Sequence, residues 1–272
     1  MSLLWRNQMQ VFLAPDRVNL TGTARGIRPV QQFSQSGVCV RENDSRQWKA
    51  SLQLLEQMLK QVDDSFRRSG ELYITLSNHF VRYGVIAPQP SLANPDELIA
   101  YAGFQMREIY GERIDEWELS LSTWDPYSGA LCAAIARDLQ SELESLANRC
   151  GTRLAGIEPY LAAALDHWAK QLTARLMWFV LVETGRFCLV VLSEGVWRCA
   201  RNQRVVQNLQ EELLTALEQE SIILSPDQSV ERVYVFAPES TRRLPMHALR
   251  WQFVHLSDEK YLAPSYFPRQ QK

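Results

Sequence analysis

Two short turns carry the residue types with which a protein could handle a phosphate. Glu183-Thr184-Gly185 sets a carboxylate, a hydroxyl and a glycine side by side between the apolar runs Met177–Val182 and Phe187–Leu192. A carboxylate in such a turn can position a hydrated cation or a water. A glycine lets backbone N–H groups approach an anion with no side chain in the way. Asp16, in Ala14-Pro15-Asp16-Arg17, offers a second carboxylate between Met9–Leu13 and Val18–Gly22. Other chemistry is thin. There is no Walker-type phosphate loop, no G-x-G-x-x-G and no G-x-S-x-G elbow. His79, His167, His247 and His255 are dispersed, and none stands at metal-ligand spacing from a cysteine. Asp63-Asp64 and Glu211-Glu212 fall at helix ends or on polar faces and read as solvated carboxylates. No metal site is expected.

The composition bounds the class. The 272 residues are 46% hydrophobic and 22% charged, a globular mix with enough length for one large or two smaller domains. The net charge of −2 argues against a nucleic-acid binder, which needs a basic footprint to displace counterions. The longest apolar run, Leu176–Val182, is far short of the ~20 residues that cross a bilayer. Met1–Gln10 lacks a basic segment followed by an apolar one, so no signal peptide is expected and the reading is a cytoplasmic chain. Cys39, Cys132, Cys150, Cys188 and Cys199 form no C-x-x-C pair and are expected to be reduced, buried thiols.

The elements that must carry the two turns follow from periodicity. Met9–Leu13, Val18–Gly22 and Gly37–Val40 read as strands, and Ser45–Phe66 as a helix with the stripe Leu52, Leu55, Leu59, Val62. Leu72, Ile74 and Leu76 alternate in a further strand. Asn94-Pro95-Asp96-Glu97 opens a helix that Gly111 ends. Trp117–Leu121 and Gly129–Ile135 read as strands, then a helix carries Ile135, Leu139, Leu143, Leu146 and Cys150 up to Gly151. Ile157-Glu158-Pro159 is expected to open another helix, with Leu161, Leu165, Trp168 and Leu172 inward. The opening pattern then returns in Met177–Val182, Phe187–Leu192 and Val196–Ala200, a helix over Gln203–Glu220, and the strands Val230–Phe236 and Trp251–Leu256.

Strand-turn-strand-strand-helix-strand thus occurs twice, as a pattern without repeated residues. A duplicated half of this kind is the plan of the α/β actin-like ATPase (ribonuclease H-like) fold, with a mixed sheet flanked by helices in each lobe. Two unrelated α/β domains are the alternative. The expected division is a first lobe over 1–92, an inserted helix-strand subdomain over 93–134, a second lobe with linking helices over 135–256, and a tail over 257–272.

Glu71–Ser77, then Val81-Arg82-Tyr83, a Pro88-bearing loop and the Asn94 helix resemble the first half of the actin-like proteins of bacterial type IV pilus and type II secretion platforms (PilM and the cytoplasmic part of GspL). The resemblance continues through the Ile135–Cys150 helix, Gly151 and Ala155–Pro159. It ends at Val180–Gly185 leading into Phe187–Leu192, which resembles the family's second phosphate hairpin. It implies a scaffold at the cytoplasmic side of the inner membrane, holding cytoplasmic segments of inner-membrane platform proteins, with homodimerisation left open.

Against that family the site residues divide. Glu183, Thr184 and Gly185 keep the phosphate chemistry of the second hairpin, and Asp16 keeps the carboxylate of the first. Val18 stands where the family places glycine, and a β-branched residue there crowds a phosphate. The family's Gly-Gly turn reads Ala237-Pro238-Glu239, and proline has no N–H to offer. The expectation is a nucleotide cleft that has degenerated, no catalytic residue and no required cofactor. The alternative is a working actin-like ATPase or small-molecule kinase that binds ATP and Mg²⁺ between the lobes, and a further rival is a stand-alone protein tied to no platform. Aromatics in turns and tails (Trp5, Trp124, Tyr127, Tyr261, Tyr266 and Phe267) are candidate partner contacts, the C-terminal ones either in a partner groove or folded back. Arg242–His247 reads as a solvated loop, with contact to acidic lipid as the alternative.

Overall fold

The computed structural model describes residues 6–24, 29–40, 47–92, 94–224, 230–238, 247–248 and 250–257. In chain order the elements begin with β1 (Gln8–Leu13), β2 (Arg17–Ala24), β3 (Val30–Val38), α1 (Lys49–Gln61), α2 (Asp64–Ser69) and β4 (Glu71–Leu76). There follow β5 (Val81–Ile86), α3 (Pro95–Tyr110), a 3-10 turn (Gly111–Glu116), β6 (Trp117–Leu121), β7 (Ala130–Ala136), α4 (Arg137–Arg149), β8 (Arg153–Pro159) and α5 (Tyr160–Trp168). The rest is β9 (Leu176–Glu183), β10 (Arg186–Ser193), β11 (Val196–Arg204), α6 (Leu209–Leu224), β12 (Glu231–Phe236), β13 (His247–Ala248) and β14 (Trp251–Leu256).

Two units divide these elements. The described residues up to Val81, with Ile135–Ala163, form the first; Arg82–Ala134 and the described residues from Ala164 onward form the second. The first unit has one sheet in the order β3-β2-β1-β4-β8. Its first three strands pair antiparallel, and β4 and β8 add in parallel. The second unit has a sheet in the order β11-β10-β9-β12-β14-β13, with the same sequence of antiparallel and parallel pairings through β14. One topology is therefore built twice from unlike sequences, as the strand pattern predicts. The second unit also carries the three-stranded sheet β5-β7-β6, with Ile86, Ala102, Met106, Ile114, Cys132 and Ala134 in its own core.

Apolar periodicity explains the packing. In β4, Leu72, Ile74 and Leu76 are buried while their neighbours are half-buried, and α1 buries Leu52, Leu55, Met58 and Leu59 against the sheet that β2 belongs to. β9 is buried along nearly its whole length, which fits a central strand covered on both faces. The Asn94 cap forms as read: its side chain accepts from the Asp96 N–H, Pro95 takes the first position, and Gly111 ends the helix at φ +68°. All five cysteines are free; four are buried and Cys199 is half-buried. Burial pushes the Cys132 and Cys199 thiols up to about 12.

Four expectations need correction. The helix read over Ser45–Phe66 breaks at Val62, where the backbone extends, and Asp63 caps a separate α2 by accepting from the Ser65 and Phe66 N–H groups. Ile157-Glu158-Pro159 does not open a helix: it ends the strand β8, paired with β4, and α5 starts only at Tyr160 and ends at Trp168, short of Leu172. The helix read from Gln203 starts at Leu209, because β11 stays paired with β10 as far as Arg204. The second lobe, read from residue 135, yields Ile135–Ala163 to the first unit, since β8 completes that unit's sheet.

The Asp63 cap predicts a local response to acid. Hydrogen bonds from the Ser65 hydroxyl and the Phe66 N–H hold its carboxyl below the ordinary value of 3.8. A lowered carboxyl pKa stabilises the fold above its unfolded value, and that contribution disappears as the pH falls through the folded value. Amide exchange at Ser65 and Phe66 should therefore accelerate below pH 3.8 before the rest of the first unit responds. Unchanged exchange relative to their neighbours would refute the cap's role.

Candidate functional site

The β1–β2 turn belongs to the first unit and the β9–β10 turn to the second. In the first, Leu13 pairs with Val18 and the Ala14 N–H donates to the Arg17 carbonyl at 2.9 Å, which leaves Pro15 and Asp16 at the tip. Pro15 has no N–H, so the tip offers one donor fewer than a glycine-bearing turn. Val18 is fully buried, with 0% exposure. The Asp16 carboxylate is paired with the Arg17 guanidinium at 3.4 Å, and that guanidinium lies over the Phe12 ring, 5.0 Å from its centroid. The Asp16 carbonyl accepts from the Cys39 N–H at 2.7 Å.

The β9–β10 turn is tighter. Glu183 and Arg186 are directly opposite each other in the antiparallel register, with Thr184 and Gly185 exposed at the tip. Gly185 has φ +74°, and a Cβ built there meets nothing within 4 Å. The glycine is required by conformation, and space for an approaching group remains. Glu183 is only 5% exposed. Arg186 donates from Nη1 to the Asn202 side chain at 2.7 Å, and burial, then the nearby Arg82, holds its pKa below the ordinary value. Across the sheet Arg186 also faces Arg204.

Both acidic turns thus share a feature that sequence reasoning missed. Arg17 follows Asp16 directly, and Arg186 closes the turn that Glu183 opens. The signal was available: in each half an arginine stands at the first position of the returning strand.

After β12 the chain continues through Ala237 and Pro238, both half-buried; Glu239 lies outside the described residues. Among the candidate partner contacts, Trp124 packs against the core of the three-stranded sheet, whereas Tyr127 is 75% exposed. Tyr127 is held out by a turn in which the Asp125 carboxylate accepts from the Tyr127 and Ser128 N–H groups at 2.9 and 2.7 Å. Trp5, Tyr261, Tyr266, Phe267 and Arg242–Met246 lie outside the described residues. Among the described residues no group of three or more His, Cys, Asp or Glu side chains could hold a metal ion, and no helix is long and apolar enough to cross a membrane.

No protein-family model matches the sequence, and no curated protein matches it. Solved structures do. A Bacteroides thetaiotaomicron protein of unknown function with an actin-like ATPase fold aligns at TM-score 0.56 and 10% identity, over 85% of this chain and 82% of that one. The chain has the actin-like ATPase fold. The cytoplasmic domain of EpsL, an inner-membrane component of the Vibrio cholerae type II secretion system, aligns at 0.55 and 10% identity over 92% of this chain and 90% of that one. A chain of the PilM–PilN type IV pilus biogenesis complex aligns at 0.60 and 15% identity over 85% and 81%. The twin sheets supply the duplicated frame of that fold.

Proposed function

We propose that this protein is a non-catalytic, actin-like component of a pilus or secretion assembly platform, and that it binds cytoplasmic segments of inner-membrane partners. The observation that carries the loss of nucleotide chemistry is that each acidic turn residue already faces an arginine of its own hairpin. At Asp16 the paired guanidinium supplies the positive charge that a hydrated Mg²⁺ would otherwise bring. At Glu183, Arg186 stands opposite in the strand register and adds positive charge near the turn while donating to Asn202, and both arginines repel that ion. Pro15 and Pro238 withhold backbone donors, and Val18 fills the place of a glycine, so these residues do not fit Mg²⁺–ATP. The reading of the partner rests on likeness to a type II secretion component and to a pilus complex. Tyr127 is the exposed aromatic we assign to such a contact.

The rival, a working nucleotide binder, is favoured by one observation: the space around Gly185. A thermal-shift titration separates the two. Millimolar Mg-ATP and Mg-ADP should leave the melting temperature unchanged, because only a ligand that binds the folded state raises it. A rise of several degrees that is lost in Glu183→Ala overturns the non-catalytic reading. Affinity capture from detergent-solubilised membranes tests the docking role, and recovery of no inner-membrane protein counts against it.

A further inference from the structure

One edge of the first unit's sheet differs from the opposite edge and from its counterpart in the second unit. From Pro29 to Val40 the sequence has no charged residue, and this stretch contains β3, the terminal strand of the sheet order. The corresponding terminal strand of the second unit, β11, carries Arg198, Arg201 and Arg204, and β8, at the opposite edge of the first sheet, carries Arg153 and Glu158. Charges on an edge strand are the usual protection against pairing with another chain. β3 lacks them.

The hydrogen-bond phase of β3 shows which backbone groups this edge presents. The Cys39 N–H bonds the Asp16 carbonyl, one rung beyond the Arg17–Val38 pair. Bonded and non-bonded rungs alternate in an antiparallel pair. Gly37, Gln35 and Phe33 therefore bond to β2, and Val38, Ser36 and Ser34 turn their N–H and C=O groups away from it. A register shift between Gly22 and Thr23 interrupts the pattern beyond Phe33, so the regular edge is Phe33–Val38. Its outward-bonding residues are exposed, Val38 by 85%.

We infer that this edge pairs with the same edge of a second copy, antiparallel, about a two-fold axis at Ser36. The symmetry sets Ser36 against itself and Ser34 against Val38 of the second copy. About six backbone hydrogen bonds form, because all three outward-bonding residues meet one another in phase. The axis sets Ser36 against its own kind, where a charge would repel itself, and Ser34 against Val38; these neutral pairs carry no repulsion. The result joins two five-stranded sheets into one continuous sheet. This inference is independent of the proposed function, since it involves neither acidic turn.

Sedimentation equilibrium of the full chain over a micromolar concentration series tests it. The expected mass is that of a dimer. Ser34→Pro removes an N–H that β2 does not use, so the monomer should fold normally while association weakens at least about tenfold. Ser36→Lys opposes two ammonium groups at the axis and should weaken it similarly. Ser34→Lys combined with Val38→Glu should keep the dimer, and Ser34→Lys with Val38→Lys should abolish it, which fixes the register. A monomer at every concentration overturns the inference. So does a dimer that Ser34→Pro and Ser36→Lys leave intact, and so does a monomer whose Ser34, Ser36 and Val38 amides are protected from exchange, because then another segment covers the edge. Recovery of a different protein's extended segment on β3 in place of a second copy overturns it too.

Discussion

Trp178→Ala should lower the stability of the second unit by about 4 kcal/mol, a fall of roughly 10 °C in its melting temperature. Trp178 has no exposed surface and sits among Val180, Leu217, Val233, Trp251 and Phe253. Its ring meets that of Trp251 edge to face, with centroids 5.1 Å apart and planes at 73°. Truncation removes that contact and leaves a cavity between a central strand and its covering helix, where neighbours on a regular sheet relax little. The indole Nε1 has no hydrogen-bond partner among the described residues, so the ring serves as an apolar body. Trp178→Phe should consequently cost less than about half as much. Calorimetry or denaturant titration distinguishes the outcomes. A Trp178→Ala chain within about 1 kcal/mol of the parent would mean that the sheet and α6 do not pack as described.

Gly129→Ala should cost about 2–5 kcal/mol and act on the three-stranded sheet before the rest of the second unit. Gly129 has φ +72°, and a Cβ built there lies 2.2 Å from the Ile86 carbonyl oxygen. Two penalties therefore add: the left-handed backbone and an overlap with main chain that no rotamer can relieve. Gly151 and Gly185 provide the control. They also have positive φ, but nothing lies within 4 Å of a built Cβ, so alanine there should cost only about 1–2 kcal/mol. Hydrogen exchange along β5 and β7 reads the local effect. Equal penalties at all three glycines would show that the close approach to Ile86 is absent.

The strand pattern and the duplicated frame were legible because alternation and burial coincide in strands such as β4. The α3 start was legible because Asn94 and Pro95 act through their own local chemistry. β8 was not. Ala155-Gly156-Ile157-Glu158-Pro159 has neither period, and only pairing with β4 makes it a strand. Val206 misled for the opposite reason. It stands three residues before Leu209, inside the helix read over Gln203–Glu220, yet it is 78% exposed, in a loop whose Val206 and Gln207 N–H groups are taken by the Glu212 side chain. The Leu52–Val62 stripe continues past the real end of α1 because Val62 is buried although its backbone is extended, and the break lies in the Asp63 cap. At the two turns the acids could be picked out by type. The arginines that face them could not be weighed until the pairing register set Arg186 opposite Glu183.

The first unit's sheet is discontinuous in sequence: β4 ends at Leu76, and its parallel neighbour β8 begins only at Arg153, after the whole three-stranded subdomain. On the ribosome β4 must therefore wait, its outer backbone groups unmatched, while the intervening segment is translated. That nascent stage is when the chain is most exposed to wrong strand partners and to capture by chaperones.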